Sequence, residues 1–281
     1  MSMKLLLTHG EDSNARIEEG LSSHGIDCVT FDAYGRVYDL NDDDVPEADV
    51  GLVYPSRLVE GGVIDALSDT VWINDATDVL TTRNKARTVA LLERAGVPVP
   101  ETRLLSSPVS GDDVRAAFDA VGAPAVFKPN SASSGRGATL VHDEDTARGI
   151  SDLFGVVHES SLVRDRSFVV QEYVEGARDY RVMVLNGDYV GAVERRANGW
   201  KKNVSGGAEA RGTKPSDRVV SLAEDAARAL GVDFCGVDVL SRDSDDFAVV
   251  NEVNARPTVD DADKYDPDFY EEFARLVRNA E

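Results

Sequence analysis

Short apolar runs alternate with amphipathic stretches over the first part of the chain. Lys4–Thr8, Asp27–Phe31, Asp49–Tyr54 and Thr70–Ile73 read as strands, and Asn14–His24 and Val59–Leu67 as helices between them. Strands alternating with helices predict a small parallel α/β lobe. The turn after the first strand, Thr8-His9-Gly10-Glu11-Asp12-Ser13, lacks the three-glycine dinucleotide fingerprint, so a nucleotide-redox role for this lobe is not supported. Arg83–Ala95 then shows a clear helical period, with Thr81 or Thr82 as N-cap and Gly96 as terminator. Pro98 and Pro100 force an extended segment into Thr102–Leu105. A first boundary falls near residue 80.

Downstream the pattern changes. A helix is expected at Asp112–Val121, capped by Ser110 and ended by Gly122, then a strand at Ala125–Lys128, a Gly/Ser loop, a strand at Ala138–Val141 and a helix at Glu144–Phe154. A strand ending in Gln171-Glu172-Tyr173-Val174 leads into a hairpin, Arg181–Leu185 and Tyr189–Arg196, whose Asn186-Gly187 is a strong tight-turn signal. A helix at Asp217–Leu230, two strands around Asp238 and Glu252, and a helix at Asp268–Val277 close the chain. Helices grouped against antiparallel pairs indicate α+β organisation here, without internal repeats.

Composition narrows the function classes. The 281 residues suffice for two to three packed lobes. Net charge is −21, dispersed along the chain, with 7 lysines against 23 arginines. Such a strongly hydrated acidic surface reads as halophilic, screened by concentrated salt; the rival is an acidic protein that binds basic partners. Phosphate-directed nucleic-acid binding needs a basic surface and is not expected. Two cysteines, Cys28 and Cys235, suggest neither a disulfide framework nor a zinc set. No apolar run nears the ~18 residues that span a bilayer, and the N-terminus reads as a strand, so a cytoplasmic location without membrane partners is expected.

The strongest chemical signal is Asp238, Glu252 and Asn254. Glu252 and Asn254, two apart on a strand, share a face, and Asp238 sits between valines in the preceding strand. Converging carboxylate and amide oxygens need a counter-charge, and hard oxygen ligands suit magnesium, which usually arrives with phosphates. The alternative is two acidic residues facing solvent. A strict hairpin would place Asp238 nearer Val249, so convergence requires an offset register or a bridging metal. Lys128 ends an apolar strand just before Asn130-Ser131-Ala132-Ser133-Ser134-Gly135-Arg136-Gly137. Read alone, that loop is equally a hairpin tip or a phosphate cradle; a lysine at its root suits phosphate. The Gln171–Val174 hinge has the character to meet an adenine edge, although an amphipathic strand end looks the same. Arg181 and Arg195, on neighbouring hairpin strands, suit a phosphate or oxyanion clamp, or solvent. Four of the 7 lysines, Lys85, Lys128, Lys201 and Lys202, fall in these segments.

In order along the chain, Asn84-Lys85, Gly96-Val97-Pro98-Val99-Pro100, Lys128 with its loop, Gln171-Glu172-Tyr173-Val174, Asp179-Tyr180-Arg181, Lys202-Asn203, Ser205-Gly206-Gly207, Gly236-Val237-Asp238 and Asn251-Glu252-Val253-Asn254 resemble an ATP-grasp ligase. The likeness is to the RimK-type group, which includes glutamate ligases of ribosomal protein tails and LysX-like ligases of amino-acid carrier proteins. It runs from about Asn74 onward; the preceding residues resemble the family's Rossmann-like pre-ATP-grasp lobe in outline. The fold this implies is ATP-grasp, with a first lobe over residues 1–80 and an ATP-grasp domain over 81–281. Within the latter a lid would occupy about 108–165 and a metal-binding subdomain about 166–281.

The resemblance implies an ADP-forming carboxylate–amine ligase using ATP and two Mg²⁺ or Mn²⁺ ions. Glutamate or another amino acid would join a protein tail or a small-molecule acceptor; the alternative is a non-catalytic ATP-binding module on the same fold. A homo-oligomer is among the family's habits. Lys85 and Lys128 would contact phosphates, as would the loop through Ser133, Ser134, Gly135 and Gly137. Glu172 and Tyr173 would meet adenine, Asp179 the ribose side, and Lys201, Lys202 and Asn203 further parts of the nucleotide. Asp238, Glu252 and Asn254 would hold the metals, and Arg195 with Arg181 the reacting carboxylate. The chain departs from the family at Asn84, often Asp, and at Ala255-Arg256-Pro257-Thr258, where a small or polar pair leading to Pro-Gly is usual.

Overall fold

The computed structural model describes residues 3–8, 11–41, 45–159, 165–197, 199–201, 209–242 and 244–280. Met3–Leu7 (β1), Ile26–Thr30 (β2), Val50–Leu52 (β3) and Val71–Ile73 (β4) form a parallel sheet in the order β2-β1-β3-β4. Glu11–Ser22 (α1) and Leu58–Leu67 (α2) supply its crossovers. Thr102–Ser106 (β5), Ala125–Pro129 (β6), Thr139–Val141 (β7) and Ser167–Glu172 (β8) form a second sheet, antiparallel, in the order β5-β8-β6-β7. Gly111–Val121 (α5) and Glu144–Glu159 (α6) cover it through Val114, Phe118, Ala147 and Phe154, which pack on Phe127 and Phe168. The third sheet runs β11-β10-β9-β12-β13, from Arg178–Leu185 (β9), Asp188–Arg196 (β10), Glu209–Thr213 (β11), Phe234–Arg242 (β12) and Phe247–Asn254 (β13). Asp217–Leu230 (α7) lays Val219, Leu222, Ala223, Ala226 and Ala227 on this sheet, a stripe at helical spacing, and stops at left-handed Gly231 (φ 66°). Asn186 and Gly187 both take positive φ (50° and 84°), the type I′ geometry that joins β9 to β10.

The expected parallel lobe and the antiparallel organisation that follows are both present. Three local readings differ. The expected helix from Arg83 is two helices, Ala76–Arg83 (α3) and Lys85–Arg94 (α4), so Thr81 and Thr82 are not its cap. Asp75 starts α3 with a reciprocal capping box to Asp78, and Asn84, extended at φ −87° and ψ 94°, ends α3 and caps α4 by accepting from Arg87 N. The helix expected at Glu144–Phe154 runs on to Glu159. The edge strand β11 was hidden because its Glu-Ala-Arg-Gly-Thr sequence has no apolar alternation.

A single apolar core joins the first sheet to the third: Leu5, Leu7 and Ile17 share it with Met183, Leu185, Phe234 and Phe273, the last from Phe269–Asn279 (α8). Asn74 fastens the same junction. Left-handed at φ 58° and 2 % exposed, it donates through Nδ2 to the Phe234 carbonyl and to the Ala255 carbonyl (2.7 Å), and its Oδ1 accepts from Phe234 N (3.1 Å). Asn74→Ala leaves buried backbone groups unpaired and puts Cβ-bearing alanine into a left-handed conformation. A loss of about 2–3 kcal/mol in urea unfolding is expected; a change below roughly 0.5 kcal/mol would show that the junction does not depend on this side chain.

Candidate active site

Between the second and third sheets lies a cleft of about 210 Å³. Of the sequence-predicted residues, Lys85, Lys128, Ser134, Gly135, Glu172, Tyr173, Asp179, Arg181, Arg195, Lys201, Asp238, Glu252 and Asn254 line it. Ser133 and Gly137 stand in the same loop but off the lining. Lys202 and Asn203 lie outside the described residues, as does Ser205-Gly206-Gly207.

The convergence of Asp238 and Glu252 comes from the register. From Arg242↔Phe247 to Val239↔Val250 the β12–β13 pair runs evenly; then a bulge advances β13 by one residue, setting Asp238 opposite Glu252 and Gly236 opposite Asn254. Asp238 also faces Arg181 on β9. Arg181 forms a two-pronged bond to Asp238 (Nε–Oδ1 2.8 Å, Nη2–Oδ2 3.0 Å). Arg195 bridges Asp238 Oδ2 (3.0 Å) and Asp179 Oδ1 (2.6 Å) through Nη2. Burial works against the Asp238 carboxylate, but the two guanidiniums outweigh it and hold the carboxyl below its ordinary range. For Asp179, burial dominates over Arg195 and the Asp238 charge adds to it, so its carboxyl is pushed up.

A second cationic pair faces this network. Lys128, buried at the end of β6, donates to Gln171 Oε1 at 2.7 Å. Burial lowers its pKa from 10.5 to about 8, with Glu252 and Asp238 opposing and the Lys85 charge adding. Lys85 Nζ lies 3.2 Å from Glu252 Oε1 and donates to the Ala132 carbonyl of the glycine loop at 2.5 Å. Asn130 ties the end of β6 to the start of α4: its carbonyl accepts from Lys85 N (3.2 Å), its Oδ1 from Ala86 N (2.9 Å), and its Nδ2 donates to Asn84 Oδ1 (3.0 Å). The loop itself turns at Ser134 and Gly135 (φ 59° and 65°), closed by Arg136 N donating to the Ser133 carbonyl at 3.2 Å.

Asn254 Nδ2 is buried with no partner. The nitrogen and oxygen of a side-chain amide are interchangeable by rotation about its last bond, so either polar atom of Asn254 can face the cleft that this residue lines. Beside it Glu252 is held by one lysine. Oxygen donors on one strand face, one of them orphaned, fit a hard divalent cation. Among the described residues no group of three His, Cys, Asp or Glu is placed to hold a metal ion, and the amide of Asn254 adds one further oxygen donor beside Glu252. Asp238 fits less simply, since both its oxygens already accept from guanidiniums.

Sequence reasoning missed Gln171 as the Lys128 partner, although a glutamine in the run Phe168-Val169-Val170 was the available signal. It also missed Trp200, which lines the cleft with its ring edge-on to Tyr173 at 6.5 Å and Lys201 Nζ 5.1 Å from its centre. Nothing in Asn-Gly-Trp-Lys marks that tryptophan beforehand.

Residues 82–268 match the family model described as the RimK-like ATP-grasp domain. The chain is 32% identical over 196 residues to a protein of Enterobacter sp. (strain 638) named probable alpha-L-glutamate ligase, a stretch covering 68% of this chain and 62% of that one. It is also 32% identical over 197 residues to the ribosomal protein bS6--L-glutamate ligase of Escherichia fergusonii, with the same two shares. The chain thus matches less than two thirds of the length of these relatives. Its fold superposes on the D-alanine--D-alanine ligase of Bacillus anthracis complexed with ATP with a TM-score of 0.70 at 16% identity, covering 100% of this chain and 97% of that one.

Proposed function

Because the chain belongs to the RimK-like ATP-grasp family, we propose that it is an ADP-forming carboxylate–amine ligase that makes an amide bond through an acyl phosphate. The observation that carries this reading is the meeting, in one cleft, of two lysines from one side and Asp238, Glu252 and Asn254 from the other. Lysines 85 and 128 would take the phosphates as point charges, while Glu172 and Tyr173 at the end of β8 would border the base. Trp200, against Tyr173, extends that border. Glu252 and Asn254, with Asp238 beside them, would hold the divalent ions, which supply charge neutralisation at the phosphates when bound.

In the first step a substrate carboxylate oxygen attacks the γ-phosphorus and ADP departs. The amine nitrogen then adds to the acyl carbon, loses its proton, and inorganic phosphate leaves. Neither step needs a nucleophile from the protein. The work is positioning and charge stabilisation. Arg181 and Arg195, fixed by their ion pairs to Asp238 and Asp179, present a preorganised positive edge where the oxyanion develops. The second sheet, with its glycine loop, would close over the nucleotide and keep water from the acyl phosphate. Residues 1–80 form the first lobe in this reading and 81–281 the ATP-grasp domain with its lid. The relatives' names suggest glutamate as one substrate and a protein as the other.

The decisive experiment is ADP and phosphate release with Mg-ATP and paired amino-acid and carboxylate substrates, in dilute and concentrated KCl because of the −21 net charge, with products weighed by mass spectrometry. Turnover should depend on both organic substrates, and Glu252→Ala should lower it by roughly a hundred- to a thousandfold, the range for losing one preorganised electrostatic contact in an active site. ATP binding without turnover in any mixture would instead identify a non-catalytic module, and full activity of Glu252→Ala would overturn the site.

A further inference from the structure

The first lobe meets the third sheet along the carboxyl edge of its parallel strands. In open parallel sheets ligands settle in the crevice outside that edge, where the strand order reverses. In the order β2-β1-β3-β4 the reversal falls between β1 and β3. Arg256, two residues beyond Asn254, reaches into this gap. Its Nη2 donates to the Thr8 carbonyl at 2.7 Å, past the end of β1. Its Nη1 donates to the carbonyls of Val53 (3.2 Å) and Tyr54 (2.9 Å), past the end of β3, and to Thr8 Oγ1 (3.4 Å).

Two more guanidiniums gather on the same edge. Arg83, two residues before Lys85, donates through Nη2 to the Ser56 carbonyl at 2.5 Å, and its charge is felt at Arg256. Arg57 stacks with its Cζ 4.5 Å from the centre of the Tyr34 ring, whose hydroxyl accepts from Arg57 N at 3.0 Å and bonds Ser56 Oγ at 2.7 Å. The chain carries 51 acidic residues against 30 basic ones, so an arginine here has carboxylates in surplus. Yet among the described residues neither Arg83 nor Arg256 forms an ion pair, and Arg57 has a single exposed contact, to Glu60 at 3.5 Å. Arg83 and Arg256, like charges brought together without a carboxylate partner, with Arg57 only loosely paired at the surface, maintain a positive potential that an external anion would relieve.

We propose that Arg57, Arg83 and Arg256 form a carboxylate-binding site beside the reaction cleft, which holds a second, non-reacting carboxylate of the substrate. The assignment rests on the ligase reading and deepens it by naming the charge class of the substrate. Arg256 is committed to backbone oxygens and fixes the local charge. Arg83 and Arg57 retain donors for the two-pronged grip that guanidinium makes on carboxylate. Arg83 and Arg256 flank the phosphate and metal elements in sequence, so the anchored carboxylate would lie next to the reacting centre. Two sources share this chemistry: the side-chain carboxylate of an acidic amino acid, and the free C-terminus of an acceptor peptide.

The test uses the full chain saturated with Mg-ADP and isothermal titration with two pairs of probes. These are L-glutamate against L-glutamine, and the dipeptide Glu-Glu with a free or an amidated C-terminus. At least one carboxylate probe should bind roughly ten- to a hundredfold more tightly than its amide partner, the range for a charged hydrogen-bonded pair. The pair that discriminates names the source. Arg57→Gln and Arg83→Gln should each erode the preference while Mg-ADP affinity stays within about twofold, a readout that a merely misfolded variant would fail. Arg57 is exposed, so its variant is not expected to disturb folding. Equal binding within both pairs, or a preference that survives in the double variant, would overturn the site. Failure of the wild type to bind Mg-ADP would remove the ligase reading and this assignment together, whereas intact Mg-ADP binding without carboxylate preference removes only the latter.

Discussion

Lys128→Met is expected to weaken Mg-ATP binding by roughly ten- to a hundredfold and at the same time to make the ligand-free protein more stable. Burial already lowers the Lys128 pKa from 10.5 to about 8, despite the pull of Glu252 and Asp238. A displacement of that size corresponds to about 3 kcal/mol of disfavoured charge. Methionine fills similar space without the charge, but it leaves Gln171 Oε1 without its 2.7 Å donor. That loss is about 1 kcal/mol, leaving a net gain of about 2 kcal/mol for the variant in urea unfolding at pH 7.

The sign of the pH dependence follows. The folded pKa lies below the unfolded one, so between about pH 8 and 10.5 the unfolded chain binds more protons. The wild type therefore gains stability as pH rises through this window, and its deficit against Lys128→Met closes there. Nucleotide phosphates favour the protonated lysine, so wild-type affinity for Mg-ADP should fall as pH rises above about 8, while the weak affinity of the variant stays flat. A variant less stable than wild type at pH 7 would mean that Lys128 is held by the fold for structural reasons.

Much of this arrangement was legible in the sequence because it depends on local periodicity and on residues rare in their setting. Asn186-Gly187 needs two positive φ values, and that requirement is written in the two residue types. Lys128 stood out as a charge ending an apolar strand, and the strand period alone put Glu252 and Asn254 on one face. What lay beyond reach was nonlocal. The bulge between Asp238 and Val239 sets the register that joins the two carboxylates, and no residue type announces it. Asn84 ends one helix and caps the next because Asp75 starts a helix whose weak apolar period gives no sign of itself. Arg256 read only as a departure from the family's usual sequence, and the crossing of the first and third sheets gives it Thr8, Val53 and Tyr54 as partners.

The pairing of both arginines with Asp238 has the second large consequence. Asp238→Ala is expected to cost about 3 kcal/mol in urea unfolding at pH 7, because removing one member of a buried ionic network strands the others. The Arg195 side chain is only 6% exposed and Arg181 20%, so water replaces the lost carboxylate poorly. Asp179 still neutralises Arg195, which keeps the loss toward the low end of the range for buried pairs. Truncating Arg181 as well should return part of the loss, since Arg181→Leu removes the stranded charge. The double variant is therefore expected to be less destabilised than the two single changes combined. Acid should act in the same direction as Asp238→Ala. Asp238 has a folded pKa below its ordinary value, so its contribution is present above the usual aspartate range and is lost as pH falls through the lowered pKa. The variant should show a flatter acid limb than the wild type. If Asp238 also holds a metal, Asp238→Asn, which keeps the size and one acceptor oxygen, should retain more stability than Asp238→Ala. It should still bind Mn²⁺ more weakly in the Mg-free, ADP-saturated protein, as followed by electron paramagnetic resonance. Unchanged Mn²⁺ affinity would assign Asp238 to holding the arginines alone, and a stability loss below about 1 kcal/mol in Asp238→Ala would mean that those arginines find other partners.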